Sequence, residues 1–340
     1  MSKINVLIAG STGYIGVQLI NLLIKHKKIN IKYLCGNSSA GKNISYYEKS
    51  LRNKKLPKII KFNEHLLKDV EIIFTALPNG EAQLISKKLL KKNILIDLAA
   101  DFRLDKASSY LKWYKKIHKA PNLIKKSIYS LPELTGDKIK KFQIIGCPGC
   151  YPTSILLPII PLIKKNLIKK NSIIIDSKSG YSGAGRGVHN KYKDKNLYES
   201  LSAYGIGFHR HNSEIEQMIK NYTKNKFKFT FTPHLSPMFR GILTTIYVDL
   251  ARGKTINNLF NELKKFYKKE KFVKIAKLNS SISTNDVINT NNCKISICKS
   301  KYKDKAIILS SIDNLIKGGA GQAIQNMNIL KNFDINEGLR

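Results

Sequence analysis

The stretch Gly146-Cys147-Pro148-Gly149-Cys150-Tyr151-Pro152-Thr153 sets one thiol, Cys150, in a Pro-Gly turn. A thiol attacks carbon as its thiolate, and at an ordinary pKa of about 8.5 only a few per cent is ionised at neutral pH. A turn that holds the sulfur at the start of an element, near backbone N–H donors, favours the anion. Cys150 is therefore the candidate nucleophile. The same residues also spell Cys-x-x-Cys, the spacing of a redox dithiol, and Cys147 would expose Cys150 to inactivating oxidation. Further along, His209-Arg210-His211 precedes a helical stretch capped by Asn212 or Ser213. A lone histidine is usually structural; two flanking an arginine ahead of a helix mark a candidate site. Residues 177–186 (Ser-Lys-Ser-Gly-Tyr-Ser-Gly-Ala-Gly-Arg) read as a flexible polar loop whose hydroxyls and two cations suit an anionic substrate.

At the other end of the chain, the apolar run 4–9 leads into Gly10-Ser11-Thr12-Gly13-Tyr14-Ile15-Gly16, followed by Ile15, Leu19, Leu22 and Leu23 at helical spacing. Strand, glycine turn and helix in that order let the backbone approach a pyrophosphate at a helix N-terminus, the fingerprint of dinucleotide binding. Residues 29–35 form the second strand. Its end carries no acid to hold a ribose 2′-hydroxyl; Gly36-Asn37-Ser38-Ser39-Ala40-Gly41-Lys42 offers Ser38, Ser39 and Lys42 instead, which suit a 2′-phosphate. NADP(H) is the expected cofactor, and no metal is needed.

The elements that position these groups divide the chain. At 340 residues it is too long for one ordinary core. Strands at 71–76 and 94–98 alternate with helices through about residue 145, giving a Rossmann-type doubly wound parallel sheet, α/β in class. The texture then changes: a strand at 172–176, an antiparallel pair at 226–232 and 242–250, an amphipathic helix at 254–268 and strands at 294–298 and 306–310 make a second α+β domain with a mixed or antiparallel sheet. The expected boundaries are 1–148, completed by a C-terminal helix at 314–340, and 149–313.

Net charge is +37, with 60 basic against 23 acidic residues. Fifty-three of the basic residues are Lys spread along the whole length, the pattern of a codon bias on solvated faces, and no arginine-rich tract accompanies them. No nucleic-acid partner is expected. Where Lys is the default cation an Arg is informative, and Arg103, Arg186, Arg210 and Arg240 fall inside motifs. The most apolar run, 154–163, is about half a membrane span and holds Pro158 and Pro161, so no membrane partner is expected. Five cysteines and no basic, apolar leader point to a cytoplasmic, reducing setting.

Together these motifs resemble the N-acetyl-gamma-glutamyl-phosphate reductases, a family related to the aspartate-semialdehyde dehydrogenases. The resemblance is carried by 10–16, 98–104, 131–134, 148–153, 177–186, 209–217, 232–247 and 313–328. It implies an oxidoreductase of arginine biosynthesis that reduces N-acetyl-glutamyl phosphate to the semialdehyde with release of inorganic phosphate. It implies Cys150 as nucleophile, His209 as acid-base, and Ser179, Arg186, Arg210 and His211 around the substrate. Pro78, Ser182, Gly183, Asn314 and Gln322 would join the glycine turn in holding the cofactor, and the family forms homo-dimers or homo-tetramers through its second domain. The chain departs from the family at Cys147, usually Asn, and at Gly318-Gly319, usually Gly-Ala. The alternatives are aspartate-semialdehyde dehydrogenase, an amino-adipyl-phosphate reductase and, from another class, a basic nucleic-acid-binding protein.

Overall fold

The computed structural model describes residues 3–187, 199–223 and 227–339. Residues 1, 2 and 340 of the expected first domain, and Lys226 at the start of an expected strand, lie outside the described residues. The chain forms two compact units, Met1–Pro148 with Gly319–Arg340, and Gly149–Gly318. The return to the first unit thus begins at 319, whereas the sequence reading places it at 314.

In the first unit the short apolar runs become β1 (Ile4–Ala9), β2 (Ile29–Cys35), β3 (Ile59–Ile60), β4 (Ile72–Thr75), β5 (Ile94–Asp97), β6 (Ser127–Tyr129) and β7 (Ile144–Gly146). They pair in the order β3-β2-β1-β4-β5-β7-β6, parallel throughout. Residues such as Val6, Leu7, Ile73, Phe74, Leu95 and Ile96 have no exposure, as strands covered on both faces require. The order reverses between β1 and β4, which opens a crevice at the strands' C-terminal ends. Helices α1 (Tyr14–Leu23), α2 (Glu81–Ser86), α3 (Ala107–Tyr114) and α4 (Pro132–Thr135) follow. The 106–126 stretch, read as helical, is α3 followed by a 3-10 segment at Pro121–Lys126, because Lys115 turns left-handed (φ 55°) and ends α3.

The second unit begins with α5 (Cys150–Lys164), in which 13 of 15 residues are buried. Pro158 and Pro161 sit inside it at a cost of about 3 kcal/mol each. Seven buried Ile and Leu side chains at roughly 2 kcal/mol apiece outweigh that. Against α5 lies a mixed sheet of β8 (Ile173–Gly180), β9 (Ser202–Ala203), β10 (Phe229–Ser236), β11 (Ile242–Asp249), β12 (Val273–Ile275), β13 (Cys293–Lys299) and β14 (Lys305–Ile312). Its order is β12-β13-β14-β11-β8-β10-β9. Helices α6 (His211–Thr223) and α7 (Ile256–Phe266) belong to this unit, and α8 (Gly321–Leu330) to the first.

Three expectations are corrected here. β10 and β11 do not pair with each other: β8 lies between them, parallel to β10 and antiparallel to β11. Residues 177–180 are strand rather than flexible loop, because Ser177 and Ser179 alternate inward and are satisfied there, Ser177 Oγ by Thr244 Oγ1 at 2.9 Å. The helix after His209 starts at His211, so Asn212 and Ser213 lie within its first turn rather than capping it. Among the described residues no helix is long and apolar enough to cross a membrane.

Candidate active site

Cys150 is the first residue of α5, behind an extended Gly149 (φ −67°, ψ 157°), and is partly buried. Its sulfur therefore stands at the positive end of a 15-residue helix, where an anion is favoured. A Cβ at Gly149 would lie 2.4 Å from His211 Nε2. The His211 ring thus packs on the backbone directly ahead of the thiol. Gly149 N donates to Glu214 Oε2 at 2.9 Å, and the other carboxylate oxygen is 3.8 Å from His211 Nε2. His211 and Glu214 are three apart on the first turn of α6, which brings them to one face. On another side Gly318 closes on Cys150, since a Cβ there would meet Cys150 Cβ at 2.6 Å.

Behind the thiol, Tyr151 collects the imidazoles. Its ring centroid is 5.7 Å from that of His209 and 5.8 Å from that of His211, and the two imidazoles are 4.7 Å apart. Burial and then Tyr204 push the Tyr151 phenol up, so it stays protonated and donates to His234 O at 3.1 Å. Ser179 also hydrogen-bonds that side chain. Burial, then Arg210, push the His209 imidazole down to about 4. It is therefore neutral, not an imidazolium, at neutral pH.

Among the other residues expected at the substrate, Arg186 and Arg210 are exposed and His211 is buried. Ser182 and Asn314 bond each other (Asn314 Nδ2 to Ser182 Oγ, 2.9 Å) beside the exposed Gly183, and Asn314 Oδ1 accepts from Gly241 N at 2.7 Å. Arg240 is engaged by fully buried Asp313 at 3.3 Å. Asp313 also receives Leu315 N and Ile316 N, and its carbonyl receives Gly318 N at 2.9 Å, so it shapes the loop that places Gly318 against Cys150.

In the first unit the glycine turn has the geometry a dinucleotide needs. Gly10 takes φ +86°, and a Cβ there would meet Ala76 O at 2.2 Å; a Cβ on Gly16 would meet Gly10 O at 2.2 Å. Gly13 precedes α1 as its N-cap, with Thr12, Tyr14 and Ile15 half-buried and Ser11 buried, its Oγ donating to Cys35 O. A cleft of ≈ 610 Å³ opens at the ends of β1, β2 and β4, lined by residues that include Gly10, Gly36, Asn37, Leu77 and Pro78. This is the crevice of the topological switch point, so the residues present fit a dinucleotide. Ser38 and Lys42 are exposed nearby in sequence, with the Lys42 ammonium over the Tyr46 ring, while Ser39 is buried against Gly36. Gln322 Nε2 donates to Pro148 O at 3.3 Å.

The Cys-x-x-Cys expectation does not hold. Cys147 is fully buried, its sulfur accepts from Asn326 Nδ2 at 3.7 Å, and burial pushes its thiol up to about 12. A buried thiol that stays protonated is a poor attacking group for exchange. Sequence reasoning gave no role to Glu214 or Asp313, and it passed over Asp97 and Asp101 in the 98–104 stretch and just before it. The signal was available: fully buried carboxylates are uncommon and need donors.

Residues 5–142 match the semialdehyde dehydrogenase NAD-binding domain and residues 150–314 the semialdehyde dehydrogenase dimerisation domain. An N-acetyl-gamma-glutamyl-phosphate reductase from Clostridium botulinum (strain Alaska E43 / Type E3) is 44% identical over 339 residues, covering 99% of this chain and 98% of the relative. The chain belongs to the N-acetyl-gamma-glutamyl-phosphate reductase family. A probable chloroplastic N-acetyl-gamma-glutamyl-phosphate reductase of Arabidopsis thaliana is 41% identical over 97% of this chain and 82% of its own length. The fold is shared with more distant solved structures: aspartate semialdehyde dehydrogenase II of Vibrio cholerae (TM-score 0.72, 15% identity, 98% and 99% of the two chains) and the Candida albicans aspartate semialdehyde dehydrogenase crystallised with NADP (0.69, 18%, 98% and 100%). As a reductase of this family the chain is an oxidoreductase that uses a nicotinamide cofactor.

Proposed function

We propose that this chain reduces N-acetyl-L-glutamyl 5-phosphate with NADPH to N-acetyl-L-glutamate 5-semialdehyde and inorganic phosphate, the arginine-biosynthetic step, through a thioester on Cys150. The observation that carries the reading is Cys150 at the N-terminus of α5 with the His211 ring packed on Gly149 and tied to Glu214. The Cys150 thiolate attacks the acyl carbon, the carbon–oxygen bond to phosphate breaks, and phosphate leaves with the electron pair. A reduced nicotinamide, when held in the cleft at residues 10–16, would supply the hydride that reduces the Cys150 thioester to a thiohemiacetal. Collapse of that adduct returns the thiolate and frees the aldehyde. The His209–His211 pair moves the proton, typically worth roughly 10²- to 10⁴-fold. Glu214 orients His211 for this. Ser179, Arg186 and Arg210 bind the substrate's anionic groups, for which Arg210's exposed guanidinium fork is suited.

The preference for NADP rests on the end of β2, which offers Gly36, Asn37 and Ser38 and no acid for a ribose 2′-hydroxyl, with Lys42 exposed beyond them. Ser182, Gly183, Asn314 and Gln322 complete the proposed cofactor contacts. A homo-dimer or homo-tetramer built through the second unit accords with the dimerisation-domain match and with Ile174 and Tyr247, 53% and 44% exposed on the sheet. The setting is cytoplasmic. The reading is tested by the reverse reaction, NADP reduction with N-acetyl-glutamate semialdehyde and phosphate. Phosphate-dependent turnover that exceeds that with NAD or with aspartate semialdehyde is expected; equal or better turnover with either substitute overturns the corresponding assignment.

A further inference from the structure

We propose that Asp101 is a positioning residue for the dinucleotide: its buried carboxylate fixes the turn and helix that form one wall of the cofactor cleft, without touching the cofactor. This rests on the reading of the ≈ 610 Å³ cleft as the dinucleotide site. One wall of that cleft is Leu77, Pro78, Glu81, Leu84 and Ile85, the turn after β4 and the face of α2. The helix of this wall has no side-chain cap of its own. α2 has six residues, and its N-cap is Gly80, at φ 101°, which has no side chain to satisfy the helix's first amides. Asp101, from the loop after the next strand, does so instead. Both its oxygens accept from Gly80 N (2.7 and 3.0 Å), and Oδ2 accepts from Gln83 N at 3.3 Å.

Asp101 is in turn held from behind. Tyr110 Oη donates to its carboxylate at 2.8 Å, its own amide donates to Asp97 Oδ2 at 3.1 Å, and its carbonyl bonds His118 Nε2 at 2.8 Å. Asp97 terminates β5 and also accepts from Thr75 Oγ1, at the end of β4, at 2.7 Å. The two central strands therefore set Asp101, and Asp101 sets the wall. With 1% exposure it is withdrawn from any ligand. A carboxylate so buried persists only where several donors converge on it, and here three of them come from the turn, the helix and Tyr110.

The test uses the full chain, with Asp101→Asn and Tyr110→Phe beside wild type. Asp101→Asn keeps the volume but turns an amide donor toward Gly80 N or Tyr110 Oη. Its KM and Kd for NADPH should rise roughly tenfold, with kcat at saturating NADPH and the KM for N-acetyl-glutamyl phosphate unchanged. Tyr110→Phe, which removes one donor and leaves the turn's bonds, should move the NADPH KM in the same direction by about twofold, and it carries the test if Asp101→Asn does not fold. An unchanged NADPH KM in the folded variants, or kcat and both KM values shifting together, overturns the proposal. Wild type that fails to bind NADPH in fluorescence titration would instead overturn the reading of the cleft.

Discussion

The amide of Gly149 donates to Glu214 Oε2 at 2.9 Å, which ties the residue ahead of Cys150 to a carboxylate with no exposure to water. One carboxylate thus fixes the nucleophile's backbone and faces the His211 ring. Glu214→Gln keeps an acceptor for Gly149 and loses the charge that orients His211. Its kcat should fall by about 10²-fold with substrate KM little changed. Glu214→Ala strands a buried amide as well, and should lower stability by about 2 kcal/mol in denaturant titration. Wild-type kcat in the Gln variant would remove Glu214 from the proton chemistry.

Gly318→Ala puts a methyl group 2.6 Å from Cys150 Cβ. Overpacking of this kind costs about 1–3 kcal/mol and here also moves the nucleophile. We expect a lower thermal midpoint together with a slower rate of Cys150 alkylation by iodoacetamide. Unchanged alkylation in a folded variant would show that the sulfur is not set by this contact.

The pH dependence has a sign that can be worked out. Folding pushes His209 from 6.5 down to about 4, so between those values the unfolded chain binds a proton that the folded chain refuses. Stability contributed by His209 is therefore full above 6.5 and is lost as pH falls toward 4. His26 and His118 are lowered by burial in the same sense. Asp97, pushed up by burial and by Asp101, has the opposite slope in an overlapping range, so the readout is a difference between variants. The thermal midpoint of His209→Asn should fall less steeply than wild type from pH 6.5 to 4; identical slopes would contradict the assignment.

Cys147 should be silent. With its thiol pushed up to about 12, Cys147→Asn should show the same dependence of activity on reductant as wild type. Mass spectrometry after brief alkylation at pH 8 should find Cys150 labelled and Cys147 bare. A Cys147–Cys150 disulfide on mild oxidation would restore the redox reading.

Much of the first unit was legible because its central strands are largely apolar: β1 falls on residues 4–9 as the run itself does, and Gly10 and Gly16 are glycines for steric reasons that the motif encodes. The second unit was harder to read. β8 ends in Ser-Lys-Ser-Gly, which looks like a loop until Thr244 and Tyr151 arrive from distant parts of the chain to satisfy the serines. β10 and β11 are neighbours in sequence, but β8 separates them, and that insertion leaves no local mark. The arginines drew attention because Lys dominates the charge, yet the 23 acids, set against 60 basic residues, also carry information. Asp97, Asp101, Glu214 and Asp313 are each at most 1% exposed, and each organises a segment on which the chemistry or the cofactor cleft depends.

The central claim is the thioester on Cys150. Enzyme mixed with N-acetyl-glutamyl phosphate and no nicotinamide cofactor, then acid-quenched, should release one phosphate per site and carry an N-acetylglutamyl adduct on the Cys150 peptide. Cys150→Ser should do neither. Phosphate release that waits for NADPH, or an adduct that survives in Cys150→Ser, would contradict the account.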